Sequence, residues 1–179
     1  MFPPSLARAN SLVMLHPETP LRPGTVARLA GETSRTVSLS ALRSLARMGI
    51  LQRAEILEDE AYEPNLKSPY YRSAYLAALV DLPIDQAFAD STIVAIFVFG
   101  SIARAVAGHG SDIDLLVVGR VSDEKMTRRR LTEVGNRYGR GIDPTFISVR
   151  DLRTAIENHD PFMSEAVTTG ILIRGSWER

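Results

Sequence analysis

Two aspartates, Asp112 and Asp114, flank Ile113 directly before the apolar run LLVV. Because the side chains of a strand alternate between the two faces of its sheet, both carboxylates are predicted to point to the same side. Neighbouring carboxylates repel each other unless a cation lies between them. Hard divalent cations, above all Mg²⁺, favour such oxygen-only sites and bring phosphates with them. The two aspartates therefore predict metal-dependent chemistry on a phosphorylated substrate.

Gly100 and Ser101 lie upstream of the aspartates, at the end of a second apolar run, residues 93–99. Apolar runs of this length, bounded by Gly and Ser, predict buried strands. Gly100 lets the backbone come close to a ligand, and Ser101 is expected to open a helical turn over residues 101–106. The free N–H groups of a helix N-terminus form a phosphate site. In the alternative interpretation, Gly100 and Ser101 are a turn and the two aspartates only cap a strand.

The segments FGSIAR and SDIDLLVVG together resemble the signature of the DNA polymerase β-type nucleotidyltransferase superfamily. They are most similar to the minimal nucleotidyltransferase domains of prokaryotes. The resemblance implies transfer of a nucleoside monophosphate, expected to be AMP from ATP, to an acceptor hydroxyl. It also implies a site for two Mg²⁺ ions. The nucleotide-binding residues that it implies are Gly100, Ser101, Arg104 and Ser111.

The resemblance further implies a third carboxylate on a neighbouring strand, which completes the metal site with Asp112 and Asp114 and acts as general base. Asp143, in the segment GIDPTFIS, is the candidate. The ordinary alternative for an aspartate before Pro144 is a turn or a strand start. The same segment is similar to domains, fused to winged helices, in which Asn often replaces this acid, so the acid here favours activity. Ala105 departs from the pattern, because related sequences usually place Gly after the arginine.

Residues 83–179 are predicted to form this nucleotidyltransferase domain, with an α+β (mixed α/β) fold and a small mixed sheet. The expected strands lie at residues 93–99, 112–118, 141–148 and 171–174, and the expected helices at residues 124–138, 151–158 and 161–168. Arg128, Arg129 and Arg130 on the first of these helices are expected to form a solvated face. The alternative is contact with a partner or with nucleotide phosphates.

The chain before residue 83 is predicted to form a second, mostly helical domain. Apolar spacing predicts helices at residues 5–15 and 25–30, a longer one from a cap at Thr33 or Ser34 to Met48, and a linker helix within residues 67–82. The residues of the longer helix expected to face inward are Val37, Ala41, Leu42, Leu45 and Met48. Residues 50–57 and 61–62 are expected to be the strands of a wing. Residues 1–66 thus resemble the winged helix-turn-helix of small prokaryotic regulators.

This resemblance implies a recognition helix whose outward residues face the major groove of DNA: Arg35, Thr36, Ser38, Leu39 and Arg43. Up to residue 54 the chain has seven arginines against only Glu18 and Glu32, a local excess that favours phosphate contacts. The wing argues the other way, because its tip carries four acidic residues: Glu55, Glu58, Asp59 and Glu60. The alternative is a module for protein interaction or dimerisation. A homodimer is expected, since a palindromic operator mirrors a two-fold protein.

Composition excludes several other classes of protein. The 179 residues contain no cysteine, which rules out disulfides, thiolate zinc sites and thiol catalysis, and three scattered histidines make no metal-ligand spacing. The net charge is zero. No apolar stretch is long enough to span a bilayer and no secretory signal pattern is present at the start, so a cytoplasmic location away from membranes is expected.

Two hypotheses of function follow. The first is a Mg²⁺-dependent nucleotidyltransferase with a DNA-binding domain. The resemblance implies an antitoxin that adds AMP to a tyrosine of a toxin protein, as minimal domains of this family commonly do, and the alternative acceptor is a small molecule such as an aminoglycoside. The second is a DNA-binding transcriptional regulator whose nucleotidyltransferase domain only senses nucleotide or is inactive. Both hold together in an antitoxin that regulates its own synthesis.

Overall fold

A computed structural model describes residues 2–56, 59–89 and 91–178 of the chain. These residues form an α+β fold, as predicted, with two separate sheets. The chain divides into two compact units: the first runs to Leu82 and includes Arg137–Gly139, and the second begins at Pro83 and contains the rest. Within the described ranges, no helix combines the length and the apolar character that crossing a bilayer requires.

The first unit consists of helices followed by a two-stranded antiparallel hairpin and a further helix. Its elements are α1 (Pro4–Met14), α2 (Pro23–Ala30), α3 (Arg35–Arg47), β1 (Leu51–Ile56), β2 (Asp59–Pro64) and α4 (Tyr71–Val80). Prolines start α1 and α2, where a missing N–H loses no helical hydrogen bond. The Ser34 side chain accepts a hydrogen bond from the Thr36 N–H and caps α3. These elements confirm the predicted helices and strands; Leu57 and Glu58, at the expected wing tip, lie outside the described residues.

The inward face of α3 differs from the predicted one. Its buried side chains recur at the three- and four-residue spacing of a single helix face: Ser38, Ala41, Leu42 and Leu45. Val37 lies about 100° around the helix from Ser38 and is 46% exposed, while Met48 follows the last helical turn and is 47% exposed. The prediction that Val37 and Met48 face the core is therefore wrong.

The outward orientation predicted for Ser38 is wrong for the same reason. Ser38 is buried, and its hydroxyl donates a hydrogen bond to the Glu32 carboxylate at the turn before α3. This contact satisfies a buried hydroxyl that would otherwise be costly to desolvate, so Ser38 packs inside the unit instead of facing outward. The other predicted DNA-contacting residues lie at the surface: Arg35, Thr36 and Arg43 are exposed and Leu39 is half-buried.

The second unit is built on a mixed sheet in which helices alternate with strands. After a short 3₁₀ turn at Asp85–Phe88, its elements are β3 (Thr92–Phe99), α5 (Gly100–Ala103), β4 (Ile113–Arg120), α6 (Glu124–Tyr138), β5 (Ile142–Ile147), α7 (Val149–Glu157), α8 (Pro161–Thr169) and β6 (Ile171–Gly175). The strand order is β5-β4-β3-β6; β4 pairs in parallel with β5, and β3 pairs antiparallel with both β4 and β6. This order confirms the predicted small mixed sheet.

One face of this sheet packs against α7 and α8. The core there joins β3 and β4 to the two helices through Ala95, Phe97, Leu116, Val118, Leu152, Ala166 and Val167. Because strand side chains alternate, the next positions on the same face are Phe99 on β3 and Asp114 on β4. The apolar core therefore ends at a carboxylate.

Candidate functional site

The strand register brings Asp143 beside Asp114. These two residues are direct partners in the parallel pair β4–β5, and on the other side Phe99 is the antiparallel partner of Asp114. Direct partners on neighbouring strands share a face, so Phe99, Asp114 and Asp143 form a row across three strands. Asp112 precedes the first residue of β4. The three predicted carboxylates thus lie at one end of the sheet.

The carboxylates act on one another electrostatically. Burial raises the pKa of Asp114 above its ordinary value, and the negative charges of Asp143 and Asp112 raise this pKa further, while the Arg104 guanidinium lowers it. Desolvation and like charges both disfavour the ionised form. A bound cation would reverse this effect, because it favours ionised oxygen ligands.

Gly100 and Gly141 leave room for the two motif carboxylates. A Cβ at Gly100 would overlap the Asp114 Oδ2 atom, and a Cβ at Gly141 would overlap the Asp112 Oδ1 atom. Gly100 also has a φ of +69°, in the left-handed region that favours glycine. Sequence reasoning missed Gly141; its available signal was a glycine at the very start of a strand, which often marks close approach of another group.

A buried arginine of the second unit, Arg140, holds the loop between α5 and β4 by hydrogen bonds. Arg140, which is buried, donates hydrogen bonds from Nη1 to the carbonyls of Gly108 (2.9 Å) and Ser111 (3.2 Å). The Ser111 hydroxyl, predicted to bind nucleotide, accepts a hydrogen bond from the Gly108 N–H at 3.0 Å. Arg140 therefore sets the path of the loop that leads into Asp112. Sequence reasoning missed this arginine, because its partners lie about 30 residues upstream.

Ala105 explains why the helical turn after Gly100 is short. The turn was expected over residues 101–106, but α5 ends at Ala103 and Ala105 has a φ of +56°. A left-handed conformation ends a helix and costs a non-glycine residue on the order of 1 kcal/mol. The residue that departs from the family pattern thus occupies a conformation that glycine adopts more readily. Ser101 lies half-buried within this single turn.

Helix α8 borders the β3 side of the site. Its Phe162 packs edge-to-face on Phe99, with ring centroids 5.2 Å apart, and remains 47% exposed. One turn later, Glu165 Oε1 lies 2.9 Å from Nη1 of Arg104. Arg104, predicted to bind nucleotide, is therefore engaged by a carboxylate in this structure. Glu165 was not singled out from the sequence, where nothing links it to Arg104.

The donor set fits a divalent cation chemically. Asp112, Asp114 and Asp143 supply only carboxylate oxygens, and the glycines at positions 100 and 141 keep two of these carboxylates close to the backbone. Across the described parts of the chain, however, no three His, Cys, Asp or Glu side chains already converge on one point as a metal cage. On the β5 side, Asp143 Oδ1 lies 3.7 Å from Nη1 of Arg128 on α6.

The raised pKa of Asp114 predicts how stability depends on pH. The folded state holds this proton more tightly than the unfolded chain, so we expect the contribution of Asp114 to the stability of the metal-free protein to fall as the pH rises. The loss begins near the ordinary pKa of 3.8 and is complete above the folded-state pKa. Asp114→Asn should remove this contribution, which urea unfolding of both proteins in EDTA from about pH 4 to about pH 7 measures. Parallel pH profiles for the two proteins would contradict it.

Comparisons with known proteins agree with this geometry. Residues 85–165 match a family model described as a nucleotidyltransferase domain. A protein of Methanocaldococcus jannaschii, named as a protein adenylyltransferase, is 38% identical over 73 residues, covering 37% of this chain and 49% of that relative. The match thus spans about half of the relative's length. No solved structure matches the chain. These similarities support nucleotidyl transfer as the reaction class of the second unit.

Proposed function

We propose that the second unit is a Mg²⁺-dependent adenylyltransferase, which transfers AMP from ATP to an acceptor hydroxyl. The observation that carries this proposal is the parallel register of β4 and β5, which sets Asp143 beside Asp114 at the end of a buried strand. The raised pKa of Asp114 supports it, because an anionic cluster of this kind is stabilised by a divalent cation. The similarity of residues 85–165 to nucleotidyltransferase domains supports the reaction class.

The placement of these carboxylates supports the following reaction. Asp112 and Asp114 would hold Mg²⁺, with Asp143 as the third ligand, and the ion held there would neutralise charge on the triphosphate and on the leaving pyrophosphate. The acceptor oxygen attacks the α-phosphorus, the bond from that phosphorus to the oxygen bridging to the β-phosphate breaks, and pyrophosphate leaves with the electron pair. Asp143, exposed on an edge strand, accepts the proton of the acceptor hydroxyl and releases it to solvent.

A protein hydroxyl is the acceptor that we propose. The name of the Methanocaldococcus jannaschii relative describes transfer of an adenylyl group to protein. The exposed Phe162 ring beside Phe99 offers an apolar border to an incoming aromatic side chain, which suits a tyrosine acceptor. The physiological acceptor would then be a toxin protein encoded beside this chain, with this chain as its antitoxin.

Labelled ATP tests the reaction directly. The purified chain is incubated with Mg²⁺, the product of the adjacent gene as acceptor, and ATP labelled on either the α- or the γ-phosphate. Transfer of the α-label alone, with release of pyrophosphate, is expected. Transfer of the γ-label would identify phosphoryl transfer instead, and absence of metal-dependent ATP binding by calorimetry would remove the enzyme proposal altogether.

DNA binding is a second candidate function, favoured by the arrangement of the first unit. Helices α2 and α3, separated by a turn at Gly31, and the hairpin β1–β2 follow the order of a winged helix-turn-helix. Arg35 and Arg43 on α3 are exposed. A homodimer would present two such helices to a two-fold operator. In such a protein the adenylyltransferase and the regulator would be the same molecule.

The charges of the hairpin oppose this second function. Over residues 1–66, seven arginines are matched by seven acidic residues. Glu60 on β2 lies 3.0 Å from Nη2 of Arg43 and 3.5 Å from Nε of Arg53, and it accepts a hydrogen bond from the Tyr62 hydroxyl. The Arg43 guanidinium and the Tyr62 hydroxyl hold the pKa of Glu60 below its ordinary value, so it stays ionised. Arg43 and Arg53, which could otherwise contact phosphate, are therefore paired with an acidic side chain of the same unit.

Glu60→Gln is expected to strengthen binding to duplex DNA, because it releases Arg43 and Arg53 for phosphate contacts. Two added contacts should steepen the slope of log K against log salt concentration by about 2. Fluorescence anisotropy with the upstream region of the gene, titrated at several salt concentrations, measures both changes. Glu63→Gln is the matched control, because Glu63 lies on the same strand and contacts Gln52 rather than an arginine. Equal slopes for the two variants would contradict the prediction.

A further inference from the structure

Arg128 lies at the free edge of β5, beside the candidate metal site. Its guanidinium carbon is 4.8 Å from the centre of the Phe146 ring, and its Nη1 atom is 3.7 Å from Asp143 Oδ1. Asp143 and Phe146 are three residues apart on one strand and so point to opposite faces of the sheet. The Arg128 side chain therefore extends from α6 around the edge of the sheet. Its guanidinium contacts the Phe146 ring on one face and the Asp143 carboxylate on the other.

This contact accounts for a contrast within the site. The backbone register places Asp143 directly beside Asp114, yet no three acidic side chains converge as a metal cage in the described residues. The Asp143 side chain is 70% exposed and its carboxylate lies toward the Arg128 guanidinium. The backbone places Asp112, Asp114 and Asp143 close together, but the Asp143 carboxylate is paired with Arg128.

The ion pair is weak enough to be exchanged for a metal ion. Its separation of 3.7 Å is long, and the side chains of Arg128 and Asp143 are 48% and 70% exposed. Exposed pairs of this kind contribute little to stability. Coordination of a divalent cation by carboxylate oxygens is stronger. The aromatic contact with Phe146 would keep the guanidinium in place after the carboxylate leaves.

We propose that Arg128 is a positioning residue that competes with the divalent cation for Asp143, holding the third carboxylate out of the metal site until metal and nucleotide bind. The inference rests on the proposed function, because it takes Asp143 as a metal ligand. It explains why one arginine of the run 128–130 contacts the site. Its neighbour Arg129 instead lies 3.6 Å from Glu133, one turn further along α6.

Binding of Mn²⁺ without nucleotide, followed by electron paramagnetic resonance, tests the proposal. Arg128→Gln is expected to tighten Mn²⁺ binding about fivefold relative to Arg129→Gln, because release from an exposed ion pair has about that effect. Arg129→Gln is the matched control, since it removes the same charge from the same helix without touching Asp143. Phe146→Leu, which removes the ring beneath the guanidinium and keeps an apolar side chain, should shift Mn²⁺ affinity in the same direction by a smaller factor.

A double-variant cycle identifies the group through which Arg128 acts. In the Asp143→Asn background, Arg128→Gln should leave Mn²⁺ affinity unchanged, since the carboxylate for which the arginine competes is absent. Equal or weaker Mn²⁺ binding by Arg128→Gln relative to Arg129→Gln would overturn the inference and leave the proposed reaction standing. If none of the proteins, wild type included, binds Mn²⁺ even with ATP, the inference and the proposed function fail together.

Discussion

Replacing Asp114 with Asn is expected to reduce AMP transfer about a thousandfold, which corresponds to about 4 kcal/mol of transition-state stabilisation. Asp114 has Asp143 beside it on β5 and Asp112 two residues before it in the chain. Its amide replacement keeps the shape of the side chain but removes the charge that a divalent cation requires. The rate of pyrophosphate release at saturating ATP measures the loss.

The same variant should not lose stability, and this separates chemistry from folding. Because burial and neighbouring charges raise the pKa of Asp114, the ionised side chain destabilises the metal-free protein, and Asn removes that penalty. Thermal unfolding in EDTA at neutral pH should show an equal or higher Tm for Asp114→Asn. Glu124→Gln, on the exposed first turn of α6, is the charge-matched control and should retain the wild-type rate. Transfer by Asp114→Asn within tenfold of wild type would refute its role.

Replacing Gly100 with Ala is expected to reduce AMP transfer about a hundredfold through two separate effects. The φ of +69° costs an alanine about 1–2 kcal/mol of stability. In addition, the new Cβ would overlap Asp114 Oδ2 and force the carboxylate to move. A displacement of a reacting group by about 1 Å can cost about a hundredfold in rate. Mn²⁺ binding should weaken in parallel, because the displaced carboxylate is a metal ligand.

Gly110→Ala provides the control for backbone strain. Gly110 has a φ of +75°, and no atom lies within 4 Å of a Cβ built there. This variant should therefore lose similar stability, about 1–2 kcal/mol in urea unfolding, and keep metal binding. If Gly100→Ala and Gly110→Ala show the same metal affinity and the same rate, a Cβ at position 100 does not disturb the Asp114 carboxylate and the prediction is wrong.

Local sequence predicted the elements that carry the site. The apolar runs before Gly100 and after Asp114 predicted β3 and β4, and the structure has them at Thr92–Phe99 and Ile113–Arg120. The predicted boundaries of α6 agree with the structure. Periodicity and end signals are encoded within a few residues, so these features can be derived without knowing what packs against them.

Errors arose where a side chain's environment depends on distant residues. On α3, the apolar character of Val37 predicted that this side chain lies in the core. The core-facing side of the helix instead carries the small, hydrogen-bonded Ser38. The arginine excess before residue 54 indicated a surface open to phosphate, yet Glu60 engages Arg43 and Arg53 from the hairpin. Charge counts along a chain do not identify ion-pair partners, which the fold selects.

The sequence by itself predicted that Asp112 and Asp114 share one face, because alternation along a strand is a local property. It also determined that Gly100 ends the strand before them. Only the tertiary structure decided that Asp143 lies beside Asp114, that Gly141 leaves room for Asp112, and that Arg128 contacts the third carboxylate. These contacts require β5, which follows α6, to pair in register with β4, and no local pattern specifies the register of two strands separated by a helix.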